Sequence, residues 1–240
     1  MKHLITLIIL LQTSINVNSQ SNPFPYLKQI TNKNDSIVNL FISSENTEII
    51  NKKIKDLDKD HPLYTNEDCI SEMTLLAFSP INNELEKKYA IVYGKCPEPE
   101  FHFYDSKDLS ICYGSISSLN LYITGNGHLY SSGHINSKFN IKRKLKFEEN
   151  NIQEVKQPYY YVGLKTKTLK PITIYKTKDT TTPIANLPEN YKIEVLIAET
   201  SLEHIDYYLI KTEFGLVGWT KINNKKQKSI DAEGIFWNGL

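Results

Sequence analysis

The stretch LKPITIYKTKDTTTPIANLPENYKIEVLIAETSLEHIDYYLIKTEFGLVGWTKI, residues 169–222, carries the reading on which the fold depends. Ile172 to Tyr175 reads as a first strand, and Lys176 to Pro183 as a long polar loop. Tyr191, Ile193, Val195 and Ile197 then alternate along a second strand and share a face, because strand side chains repeat every two residues. Glu199 to Asp206 is another loop, Tyr207 to Lys211 a strand, Glu213-Phe214-Gly215 a turn and Leu216 to Ile222 a closing strand. Short strands in so little chain cannot cover the edges of a flat sheet, so residues 166–224 are expected to close into a small barrel.

Working outward, the residues ahead of this stretch keep the same period. Tyr89, Ile91 and Tyr93 share a face, Phe101 and Phe103 alternate with His102 and Tyr104, and Leu119, Leu121 and Ile123 precede the hairpin signal Gly125-Asn126-Gly127. Ile141 to Glu148 alternates throughout, with Ile141, Arg143, Leu145 and Phe147 facing one way and Lys142, Lys144, Lys146 and Glu148 the other. Residues 61–165 therefore predict an antiparallel sheet with one wet face. Residues 20–60 are polar. Within them Ile49, Ile50, Ile54 and Leu57 have the spacing of one helix face, which predicts a short helix over Glu48–Leu57, broken by Asp58–Pro62. The fold class expected is mainly β: an antiparallel N-terminal β domain with a short helix, then a small barrel, then a tail over 225–240.

Residues 1–19 read as a signal segment rather than structure. Lys2 and His3 start it, Leu4 to Leu11 is apolar but for Thr6, and Val17 and Ser19 offer small side chains before a cut at Gln20. So short an apolar run cannot span the roughly 30 Å of a bilayer core. No later stretch is long and apolar enough for a transmembrane segment, so the mature chain is expected to be periplasmic or secreted. Removing residues 1–19 takes away Lys2 and leaves 27 basic against 27 acidic side chains. That balance argues against a nucleic-acid partner, which needs a basic excess.

Three cysteines remain, Cys69, Cys96 and Cys112. An oxidising compartment predicts one disulfide and one odd thiol, with Cys69–Cys96 the preferred pairing; the other reading is three reduced, buried thiols.

Pro183-Ile184 before Leu187-Pro188, the apolar strand ending at Val195, the aromatic pair Tyr207-Tyr208 and the closing Gly215, Gly218 and Trp219 resemble a bacterial Src homology 3 domain. The resemblance covers about residues 169–222 and departs where family members open a strand with Trp and this chain has Tyr207. It implies a non-catalytic module that binds a cell-wall peptide or glycan, or an envelope protein. Tyr175, Tyr207, Tyr208 and Trp219 are the candidate contact residues, since aromatic side chains offer large area with few rotamers to freeze. Neighbouring Tyr207 and Tyr208 must point to opposite faces, and Trp219 has core packing as its competing role.

Other constellations are weaker. Asp68-Cys69-Ile70-Ser71 is similar to the nucleophile string of papain-like cell-wall endopeptidases, with Ile70 and Ser71 in place of Ser and Gly, which keeps a hydrolase using Cys69 as the alternative. His128, His134 and Cys112 lack ligand spacing, so no metal or cofactor is expected. Lys142, Lys144 and Lys146 form a positive stripe, either a solvated face or a contact for an anionic glycan. Ile235-Phe236-Trp237 and Leu240 make the tail too apolar to dangle, so it either packs back or docks a partner. A third reading gives residues 61–165 the main role, in a secreted effector to which the barrel is an appendage.

Overall fold

Val38, Leu40 and Ile42 are all fully buried, and this alternation in the supposedly polar N-terminal segment begins the first of three sheets among the described residues. The computed structural model describes residues 22–32, 35–95, 97–148, 151–200, 205–224 and 227–239; the expected signal segment lies outside them. The first strands among the described residues are β1 (Lys28–Asn32) and β2 (Asp35–Ile42). A second sheet follows in strict meander, β3 (Glu48–Lys53), β4 (Thr74–Pro80), β5 (Lys88–Lys95), β6 (Pro99–Asp105) and β7 (Cys112–Ser117). The chain then returns to the first sheet with β8 (Asn120–Ile123), β9 (His128–Gly133), β10 (Ile141–Glu148) and β11 (Asn151–Glu154), giving the order β1-β2-β8-β9-β10-β11. The third sheet takes β12 (Tyr160–Lys167), β13 (Ile172–Tyr175), β14 (Pro183–Leu187), β15 (Lys192–Glu199), β16 (Ile205–Thr212) and β17 (Val217–Asn223). Among the described ladders β2–β8 alone runs parallel. Helix is confined, among the described residues, to a 3-10 turn at Ile54–Asp56 and α1 (Asp68–Ser71).

The first two sheets pack face to face. Val38, Leu40, Leu121 and Leu129 of the first meet Leu76, Ile91, Phe101 and Phe103 of the second in one core, each fully buried side chain contributing about 1.5–3 kcal/mol. The second sheet is covered on its outer face as well, where Ile54, Leu63 and Met73 from the β3–β4 connection lie on Leu75, Ala90 and Val92. That double burial explains why Lys88–Lys95 reads as a nearly continuous apolar run.

Two expectations need correction. The helix over Glu48–Leu57 is instead β3 followed by the 3-10 turn. Asn51 adopts φ 54° at a bulge where the register shifts between Ile49 and Lys52, and the extra residue breaks the two-residue period into a helix-like spacing. The segment 166–224 does not close into a ring. Its sheet runs β12-β15-β16-β17-β13-β14, with β12 and β14 as edges among the described residues. The edge of β15 that closure would need is taken by β12, which begins at Tyr160, ahead of the expected boundary. This is nevertheless a separate sheet with its own core of Ile172, Ile174, Leu187, Ile193, Val195, Tyr208, Ile210 and Ile222.

The tail packs back on that core. Ala232 and Ile235 are fully buried in it, and Phe236 N–H donates to the Lys138 carbonyl at 3.0 Å.

Buried phenols make stability fall at high pH. Burial, reinforced by a hydrogen bond to Glu154, pushes Tyr160 up to about 12. Burial likewise raises Tyr93, beside Asp35, and Tyr208, beside Asp206. The folded protein thus holds these protons more tightly than an unfolded chain, whose tyrosines titrate near about 10. Their stabilisation is complete below about pH 10 and is lost as pH rises through the folded values. Denaturant titrations are expected to show the unfolding free energy falling between pH 10 and 12, with a shallower fall in Tyr160→Phe; an unchanged slope would exclude Tyr160 as a contributor.

Candidate functional site

Strand parity divides the four candidate contact residues. Tyr208 lies inward and fully buried, accepting a hydrogen bond from Asn224 Nδ2 at 3.0 Å, with its hydroxyl 3.4 Å from Asp206 Oδ2. It is a core residue, and the expectation that it meets a ligand is corrected. Tyr175, Tyr207 and Trp219 are half-buried and stand on the outer face of the third sheet.

The registers assemble that outer face into a continuous row. Tyr161 of β12 pairs with Ile197 of β15, Ile197 with Leu209 of β16, Leu209 with Trp219 of β17, and Trp219 with Tyr175 of β13. All five side chains point away from the core, since their strand neighbours Tyr160, Ala198, Tyr208, Ile210, Thr220 and Ile174 are buried. Adjacent strands lie about 4.8 Å apart, so four steps make a track about 19 Å long. Tyr161 remains 57% exposed and Tyr159, whose ring centroid is 6.0 Å from that of Trp219, 41%.

Local sequence choices build this row. Gly163 holds φ 62° in a bulge of β12, and a Cβ there would come within 2.5 Å of the Tyr161 ring, so the tyrosine lies across a position that only glycine leaves open. Gly218 serves close approach: a Cβ would meet the Tyr175 carbonyl oxygen at 3.0 Å, where β13 crosses β17. A register shift between Val195 and Ile197 turns Ile197 outward, away from the face the simple alternation assigned it.

Cations sit over the aromatic faces. Lys178 Nζ is 5.6 Å from the Trp219 ring centroid and 5.8 Å from that of Tyr159, and it pairs with Glu199. The Glu199 hydrogen bond raises the Lys178 pKa, so the side chain stays charged at neutral pH. Its loop is fixed by Asp179, which accepts from the Thr177 hydroxyl at 2.6 Å and from Thr181 N–H at 3.1 Å. Lys221 Nζ lies 5.1 Å from the Tyr207 centroid in the neighbouring row. A flat apolar track edged by fixed charges can stack planar or ring-shaped groups and orient them.

The remaining candidates fall elsewhere. Cys69 is disulfide-bonded and Cys112 is free and exposed; Cys96, the partner preferred from the sequence, lies outside the described residues. A sulfur held in a disulfide offers no thiolate, so Cys69 has no nucleophile to contribute in this state. His134 Nε2 lies 3.0 Å from the Phe236 carbonyl and helps seat the tail, while His128 begins β9. Among the described residues no group of three or more His, Cys, Asp or Glu side chains is placed to hold a metal. No helix among them is long and apolar enough to cross a membrane. Lys146 of the positive stripe pairs with Glu148.

Sequence reasoning missed Tyr159, Tyr161, Ile197, Leu209 and Lys178 as site residues. The run Tyr159-Tyr160-Tyr161 falls within residues 61–165, read from the sequence as the preceding β domain; its membership of the third sheet is set by pairing with β15, about 35 residues along the chain. No protein-family model, curated protein or solved structure matches this chain.

Proposed function

We propose that the protein is a non-catalytic recognition protein of the cell envelope, and that the third sheet is a module of the Src homology 3 kind. Its ligand is an extended cell-wall polymer, peptide or glycan, laid along the row from Tyr161 to Tyr175. The observation that carries this reading is the row itself: five outward side chains on five strands, in register and edged by Lys178 and Glu199. A row of half-buried aromatic and aliphatic side chains ending in the exposed Tyr161 supports reading this as a contact face. The disulfide at Cys69 fits an oxidising compartment outside the cytoplasm.

The test is sedimentation of the mature chain with purified cell-wall material. Trp219→Ala and Tyr161→Ala are each expected to weaken retention about tenfold or more, with unfolding midpoints close to the parent because both rings face outward. Equal retention of parent and variants, or no retention of the parent, rejects the proposal.

A further inference from the structure

A concave site, separate from that row, lies on the outer face of the first sheet, where β9 and β10 meet the chain entering β12. It is a cleft of about 700 Å³, within the range that encloses a sugar or small ligand. Its floor is a fixed aromatic layer: the Phe24 ring centroid lies 4.9 Å from Tyr130 and 5.5 Å from Tyr122, and Tyr122 stacks on Phe41 at 4.6 Å. The turn bearing Phe24 is held by Leu27 N–H donating to the Phe24 carbonyl at 2.9 Å, with Leu27 buried against this layer. Tyr161 forms the opposite wall, with Lys142 Nζ 5.0 Å from its ring centroid.

The charge in this cleft has one sign. Its lining includes Lys142, Arg143 and Lys144 and no acidic residue. Arg143 is engaged by Glu154 at 3.5 Å, but neither Lys142 nor Lys144 has a carboxylate within ion-pair distance among the described residues. In a mature chain of balanced charge, two uncompensated ammonium groups beside aromatic faces are a local feature. Stacking planes suit the apolar faces of sugar rings, and the lysines supply the counter-charge for an acidic substituent.

We infer that this cleft binds an anionic glycan, a sugar chain bearing carboxylate or phosphate groups. The inference stands apart from the row on the third sheet, sharing with it Tyr161 alone. The experiment is calorimetric titration of the mature chain at low salt with three probes of matched length: an oligouronate, a phosphodiester-linked sugar oligomer and a neutral oligosaccharide. At least one anionic probe is expected to bind about tenfold or more tightly than the neutral one, and to weaken as salt is raised. The two anionic arms distinguish carboxylate from phosphate as the recognised group. Lys142→Gln with Lys144→Gln should lose about tenfold or more in affinity for that probe, Lys142→Arg with Lys144→Arg should retain it, and Lys52→Gln, an exposed lysine on β3 of the second sheet, should leave it unchanged. Equal affinity for neutral and anionic probes overturns the inference, as does full affinity in the double Gln variant. So does tighter binding of a single-stranded oligonucleotide than of either anionic glycan.

Discussion

Replacing Lys138 by Ala is expected to cost about 3 kcal/mol of unfolding free energy. Lys138 Nζ lies 2.7 Å from Asp206 Oδ2 and 2.8 Å from Oδ1, and both side chains are buried, Asp206 completely. Lys138 belongs to the connection leading into β10 of the first sheet and Asp206 to β16 of the third, so the pair pins the two sheets together. In the variant the buried Asp206 carboxylate keeps the Asn224 Nδ2 donor at 2.9 Å and loses the Lys138 ammonium. Urea denaturation measures the loss directly. The double variant Lys138→Met with Asp206→Asn should recover part of it, because a neutral amide keeps an acceptor for Asn224 and leaves no charge to compensate. A loss under about 1 kcal/mol in Lys138→Ala would show that the pair is solvated and that the sheets are held by other contacts.

Ile235→Ala is expected to destabilise by a similar amount, about 3 kcal/mol, within the usual range for emptying a fully buried aliphatic site. Ile235 is 0% exposed in the core of the third sheet although it lies beyond that sheet's last strand. The tail is tied down on both sides of it. Glu233 N–H donates to the Lys167 carbonyl at 3.1 Å, Trp237 N–H to that of Asn224 at 3.2 Å and Asn238 N–H to that of Ser137 at 2.9 Å. Removing residues 232–240 should therefore open the third sheet to proteolysis while the first two sheets stay protected. Limited digestion followed by mass analysis of the fragments reports this. Uniform protection of the truncated chain would show that the tail is dispensable.

Where a strand has one buried face, its period survived into the structure as read. In β10 the inward Ile141 and Leu145 and the outward Lys142 are placed as the alternation requires. Where a bulge intervenes, the period misleads. Asn51 in β3 and the shift near Leu196 in β15 each insert one residue, which turns every following side chain to the other face. The bulge in β3 imitated a helix and the one in β15 hid Ile197. Pairing partners were beyond reach for another reason. The parallel ladder of β2 with β8 joins Leu40 to Leu121, and nothing local in either strand specifies the other.

The amino-acid order alone determined that this chain is a β protein and that Tyr175 and Trp219, each on a short strand of its last third, are candidate contact residues. Backbone sterics and two-residue alternation act within a few residues, so they are written locally. Tertiary structure decided which tyrosine of Tyr207-Tyr208 is core, that Tyr161 and Ile197 complete a row with Trp219, and that Phe24 meets Lys142 across one cleft. Those outcomes depend on which distant strands pair and in what register. That choice is made by the burial of whole faces against one another, a property of the assembled sheets and of no single segment.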